Sequence, residues 1–271
     1  MLKDFSINNE FPPIFILTYQ MGDQEAASIK ESLREAKHNN FIGYSHSLSH
    51  NTNNHSQEQI ITKHIFNKYW GKVRFKIITF VQDPISCIVS HLFTNVQKYL
   101  SHIREVDESK ALNEIIISLL KTLNKFENKN DGFSGWFDSH IKKWFQFDIF
   151  KEPFNKGAGY SIYQTKHSDI LVLRLEDLNT CHQKAFYEFL NIPGFTLFSI
   201  NIGTNKWYAH LYQQVVNSIR FPVYDLEKMY STKYSKHFYT MEELLNFKLK
   251  WTNQTQTRFL YKQSDSVLNE N

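Results

Sequence analysis

The sequence predicts an α/β protein, a mainly parallel sheet flanked by helices, and two observations carry that expectation. Short apolar runs at Ile14–Thr18, Phe41–Ser45, Lys76–Val81 and Ile170–Leu175 are apolar almost throughout. Such runs suit strands buried on both faces, as parallel strands are. Between them lie longer segments with apolar residues at helical spacing, which supply the covering layers. At 271 residues, with 41% apolar and 15% aromatic content, the chain has ample material for a core. We read it as one domain, 1–271, with a core of about 13–251 and a polar tail of about 253–271.

Taken in order, the first run is followed by Gly22 and then by a helix face of Ala26, Ile29, Leu33 and Ala36. Strand, glycine turn and helix form the layout of a phosphate-cradling corner, because a helix start offers unpaired N–H groups and a positive dipole end. The corner nevertheless carries Asp23 and Glu25. The second run ends at His46, in FIGYSHSLSH. Ile60, Ile61, His64, Ile65 and Tyr69 mark a helix. Asp83-Pro84 caps and opens another, running through Ile85, Ile88, Val89, Leu92, Val96, Tyr99 and Ile103.

The middle adds a helical elaboration. Leu112, Ile115, Ile116, Leu119, Leu120 and Leu123 place one long helix over Asp107–Asn128, and a second follows around Trp136–Phe147. Gly157–Thr165 alternates and carries glycines, as a hairpin or edge strand does. Beyond Leu190 the sequence reads as aromatic and irregular until a helix at Met241–Trp251. Glu176-Asp177 reads as a helix-start cap. Lys72, Arg74 and Lys76, spaced by two, fall on one side of the chain entering the third strand.

Composition narrows the classes. The net charge of +4 arises from 31 basic and 27 acidic residues and forms no concentrated basic patch, which argues against a nucleic-acid partner. Cys87 and Cys181 have no partner spacing and read as buried thiols in a reducing compartment. No apolar leader and no run of 18 apolar residues occur, so we expect a cytoplasmic chain without a membrane span. His46, His50 and His55 lack a cysteine or acidic partner at ligand spacing, and we expect no metal.

Four blocks then line up: the strand, QMG and helix of 14–36; KIITFVQDPISCIVSHLF at 76–93; WFDSHIKKWFQFDIFKEPF (136–154) with DILVLRLEDL (169–178); and NKWYAHLY at 205–212. Together they resemble the NKWYS family of capsular polysaccharide synthesis proteins, with a sulfotransferase-like P-loop fold. The resemblance implies transfer of a sulfuryl group from 3′-phosphoadenosine-5′-phosphosulfate to a carbohydrate or small-molecule acceptor. It assigns the phosphosulfate loop to Gly22, Asp23, Ala26, Ala27 and Ser28. Asp23 stands at the family's loop lysine, Glu25 at its second glycine, and Ala26 and Ala27 at its serines. It assigns the 3′-phosphate site to Gln82, at the position of an arginine, and Ser90, eight residues on. It offers His46 as general base toward the acceptor, since an imidazole titrates near neutral pH. Lys206 of NKWY adds positive charge near the nucleotide, and Trp207 and Tyr208 offer stacking faces. With both cationic anchors replaced, a non-catalytic binding or regulatory protein is the alternative expectation.

Overall fold

The computed structural model describes residues 14–19, 24–36, 41–48, 56–96, 107–128, 133–198 and 207–252. Along these residues the strands are β1 (Phe15–Tyr19), β2 (Phe41–Ser45), β3 (Phe75–Val81), β4 (Tyr160–Gln164) and β5 (Ser168–Arg174). The helices are α1 (Gln24–Glu35), α2 (Gln57–Tyr69), α3 (Pro84–Thr94), α4 (Glu108–Asn128), α5 (Phe133–Trp136) and α6 (Lys143–Phe145). They continue as α7 (Leu178–Leu190), α8 (Ala209–Ser218), α9 (Val223–Tyr230), α10 (Lys233–Phe238) and α11 (Met241–Trp251). A π-helical turn, Phe137–Lys142, joins α5 to α6. The chain gathers into two compact units. The first comprises Met1–Phe80, Lys143–Phe147 and Gly159–Ile200; the second comprises Val81–Lys142, Asp148–Ala158 and Asn201–Asn271.

The first unit holds the sheet, in the order β2-β1-β3-β5-β4. β1 runs parallel to both β2 and β3, with Phe15 opposite Phe41 and Phe75. All five residues of β1 and all seven of β5 are buried, as strands covered on both faces must be. The four apolar runs are therefore neighbouring strands of a mostly parallel sheet, each displaced from its expected bounds by no more than two residues. The glycine-bearing stretch supplies β4, an antiparallel edge strand paired with β5. α2 lies so close over β2 that a Cβ on Gly43 would come within 2.8 Å of Phe41 and Thr62. Only glycine admits that approach.

Charge enters this unit as a fastening across two adjacent strands. Arg74, just ahead of β3, and Lys76, within it, both grip Asp169 at the start of β5; Lys76 Nζ stands 2.9 Å from the carboxylate. Burial pushes the Asp169 carboxyl up, but the hydrogen bonds from Arg74 and Lys76 outweigh it and hold the group below the usual range. At the other end of β5, Arg174 is buried and donates to Asp177. Asp177 does occupy the N-cap position of α7, but its carboxylate makes no capping bond. The expected cap is corrected: the buried guanidinium takes the carboxylate instead.

The second unit is helical. Phe137, Phe150, Tyr234 and Phe238 pack ring to ring, with centroids 5.1–6.1 Å apart. The helix expected around Trp136–Phe147 is interrupted by the π turn and stops at Phe145, where Gln146 takes a positive φ of 54°. The stretch after Leu190, expected to be irregular, carries α8, α9 and α10. The signal of α9 and α10 was Leu226, Tyr230, Tyr234 and Phe238, spaced by four and all buried. The helix opened by Asp83-Pro84 runs to Thr94; its expected continuation to Tyr99 and Ile103 lies outside the described residues.

Both cysteines fall within helices, Cys87 half-buried in α3 and Cys181 buried in α7, where burial pushes the thiol up to about 11. His237, on α10, stands against Phe150 and Phe238, and its Nε2 is buried without a hydrogen-bond partner among the described residues. Burial first, then Lys156 and Lys233, push this imidazole down to about 4, against a smaller upward pull from Asp148. A histidine depressed in the folded state is neutral there while the unfolded chain takes up a proton, so stability falls as pH drops from about 6.5 toward 4. We expect the urea midpoint to fall across this window, and His237→Phe to flatten the fall. An unchanged slope in that variant assigns the acid sensitivity to other groups.

Candidate functional site

β1 and β2 end level with one another, Tyr19 opposite Ser45. The Tyr19 hydroxyl accepts from the Leu48 N–H at 3.3 Å, and burial raises its phenol well above the ordinary value. Ser45 Oγ donates to the Ser47 carbonyl at 2.7 Å and accepts from the Ser47 N–H, folding the chain tightly as it leaves β2. His46 sits within that turn, half-buried. Its ring lies 6.4 Å from the Tyr44 ring, and its Nδ1 stands 2.9 Å from Gln59 Nε2. Gln59 belongs to the first turn of α2 and completes a capping box. The Gln59 N–H donates to Ser56 Oγ, and the Ser56 N–H donates to Gln59 Oε1 at 3.2 Å.

The chain leaves β1 through residues 20–23 and re-enters as α1 at Gln24. Gly22 and Asp23 lie outside the described residues, and Ala26 and Ala27 are helical, in the first turn of α1. Ser28 is buried, and its hydroxyl donates to the Phe198 carbonyl. The Phe198 N–H in turn donates to Ser32 Oγ at 2.8 Å, and Ser32 donates to the Ser28 carbonyl. Lys30, the first cation after the corner, is paired with Glu58 of α2 at 2.8 Å.

The second unit holds the other sequence-assigned positions. Gln82 is half-buried; its backbone N–H donates to the Tyr234 hydroxyl, which donates back to the Gln82 carbonyl, both at 2.9 Å. Asp83 follows as the N-cap of α3 with Pro84 in the first turn, as expected. Its buried carboxylate accepts from the Tyr230 hydroxyl at 2.6 Å, Trp251 Nε1 at 2.9 Å, and the Ser86 N–H and hydroxyl. Ser90 lies half-buried two turns along α3. Lys206 lies outside the described residues, as do His50 and His55. Trp207 is partly exposed and meets Tyr208 edge-on, while Tyr208 is buried against Phe93 at 5.5 Å, a packing position.

Ser28 and His46 thus belong to the first unit, and Gln82 and Ser90 to the second. Sequence reasoning missed Gln59. Its signal was present as Ser56-x-x-Gln59, the capping-box spacing, thirteen residues beyond the histidine it meets.

A mostly parallel five-stranded sheet flanked by helices, with α1 following β1, defines the class of this α/β protein. The NKWYS family model, described as "Putative capsular polysaccharide synthesis protein", matches residues 105–240, half of the chain, and the chain belongs to that family. The match takes in the blocks at 136–154, 169–178 and 205–212 and begins after β1, β2 and β3. No curated protein and no solved structure matches the chain. Among the described residues, no helix is long and apolar enough to cross a membrane.

Proposed function

We propose that this member of the capsular polysaccharide synthesis family is a sulfotransferase-like protein that binds a 3′-phosphoadenosine-type nucleotide. The observation that carries the reading is the succession of buried, parallel β1 and, after four intervening residues, the twelve-residue α1. Such a junction aims backbone N–H groups at an anion irrespective of side-chain charge. In the catalytic form of this reading, the start of α1 holds the phosphosulfate and His46 meets the transferring group or its acceptor. The acceptor is a carbohydrate or small-molecule hydroxyl or amine, and the protein works in the cytoplasm.

A second reading, a binding or regulatory protein without turnover, is favoured by one specific contact. The Ser28 hydroxyl, the one hydroxyl the corner retains, is directed to the Phe198 carbonyl. With Asp23 in the lysine position, affinity then rests on backbone groups alone. Calorimetric titration of the full chain with adenosine 3′,5′-bisphosphate tests both readings. We expect weak binding that falls as salt rises, since the nucleotide is anionic and salt screens its attraction to the partial charges of backbone N–H groups. Tight binding together with sulfuryl transfer to an acceptor establishes the enzyme. Absence of binding at millimolar nucleotide overturns both.

A further inference from the structure

The capping box of α2 fixes more than a helix start. Gln59 Oε1 accepts from the Ser56 N–H at 3.2 Å, so the carboxamide oxygen is committed to the backbone and the NH₂ group faces the other way. That NH₂ stands 2.9 Å from His46 Nδ1. A carboxamide nitrogen donates and never accepts, so Nδ1 must present its lone pair. In the neutral ring the proton then resides on Nε2. Turning the carboxamide over would offer an oxygen to Nδ1–H, but it would set NH₂ against the Ser56 N–H, two donors with nothing between them. Gly43 lets α2, which carries the glutamine, approach β2, which leads into the histidine.

We propose that Gln59 is a positioning residue that holds His46 in the Nε2–H tautomer, making it a hydrogen-bond donor to an anionic oxygen of the ligand, a sulfate or phosphate oxygen, and not a base toward the acceptor. The ligand rests on the functional reading above; the tautomer rests on the box alone. The consequence is a division of labour different from the one expected from the resemblance. His46 supplies a directed N–H where negative charge gathers, as a neutral donor can, and the acceptor proton leaves by another route.

The test reads the two ring nitrogens directly, by long-range proton–nitrogen correlation on the full-length labelled protein at about pH 8.5, where an ordinary imidazole is neutral. His46→Gln assigns the resonance by its loss. Wild type is expected to show an unprotonated Nδ1 and a protonated Nε2. Gln59→Glu is the decisive variant: glutamate serves the capping box equally well, while its second oxygen accepts from Nδ1. The proton should therefore move to Nδ1. Gln59→Leu, which removes the partner altogether, should give a mixture of both forms and provides a second readout should the glutamate variant fold poorly. A wild-type ring protonated on Nδ1, or a ring indifferent to both substitutions, overturns the proposal. Adding adenosine 3′,5′-bisphosphate should shift Nε2 in the wild type. A tautomer as described with no nucleotide bound by calorimetry counts against the functional reading alone. Bound nucleotide with an unmoved Nε2 overturns the ligand contact.

Discussion

Asp83→Ala should lower the unfolding free energy by about 3–5 kcal/mol, the largest single-residue loss we expect in this protein. Asp83 is 1% exposed, and among the described residues its carboxylate accepts from Tyr230, Trp251 and, twice, Ser86. A bond to a charged acceptor contributes ~1.5–3 kcal/mol, and a buried donor left without a partner costs ~1–3 kcal/mol. These contributions overlap, because all four donors converge on one group, so they do not sum. The total is set instead by what alanine leaves behind: an indole N–H and a phenol in a site closed to water, and an α3 without its cap. Asparagine discriminates between charge and geometry. Its carbonyl oxygen can take the place of Oδ2 before Ser86 and Trp251, while the Tyr230 hydroxyl turns round to accept from the new NH₂. Asp83→Asn should therefore cost roughly half as much. Urea unfolding followed by Trp fluorescence measures both. A loss below ~1 kcal/mol in the alanine variant would show that water reaches the site and solvates the donors.

The second large effect concerns affinity. On the proposed reading, Asp23 occupies the position at which the family resemblance places a lysine. Asp23→Lys restores a charge-assisted contact to the nucleotide, contributing roughly 1.5–3 kcal/mol. The repulsion between the Asp23 carboxylate and a phosphate is removed as well. The change should tighten adenosine 3′,5′-bisphosphate by roughly 10- to 10²-fold, since every 1.4 kcal/mol is a factor of about ten. Melting makes the gain visible: a ligand at ~100 times its dissociation constant stabilises the folded state by ~2.7 kcal/mol. The variant should shift by several degrees at concentrations where wild type barely moves. A folded variant with no gain would mean that the corner does not meet a nucleotide, and the sulfotransferase-like reading would fall.

The sheet was legible because its strands are apolar on both faces. Ile14–Thr18 and Ile170–Leu175 need no partner information to be read as buried strands, and a parallel sheet follows from the helices between them. The Asp83-Pro84 cap was legible for the same reason: its geometry is local. Contacts that join distant residues left no such trace. Nothing in the sequence pairs Ser28 with Phe198, 170 residues away, or Asp83 with Tyr230 and Trp251, 147 and 168 residues away. Lys72, Arg74 and Lys76 were visible as a charged side, but Asp169, the partner of Arg74 and Lys76, was not, because it arrives with β5. The Gln59–His46 pair is intermediate. The box has a readable spacing, yet that Gln59 also meets His46 depends on how closely α2 approaches β2.

The strand order has a consequence for what the family-matched block of sequence can do by itself. The segment matched by the family model contains β4 and β5 but not β3, and β5 lies between β3 and β4 in the sheet. Cut out as a peptide, 105–240 would carry a two-stranded ribbon whose inner strand, buried along all seven residues in the full chain and apolar from Ile170 to Leu173, has lost the neighbour on one side. An open, flat, hydrophobic strand edge is a template for pairing with further copies of itself. The stretch by which the family is recognised is thus not a portable module. What is inherited as a block and what folds as a block have different boundaries here, and transplanting the first without the amino-terminal strands would yield aggregate.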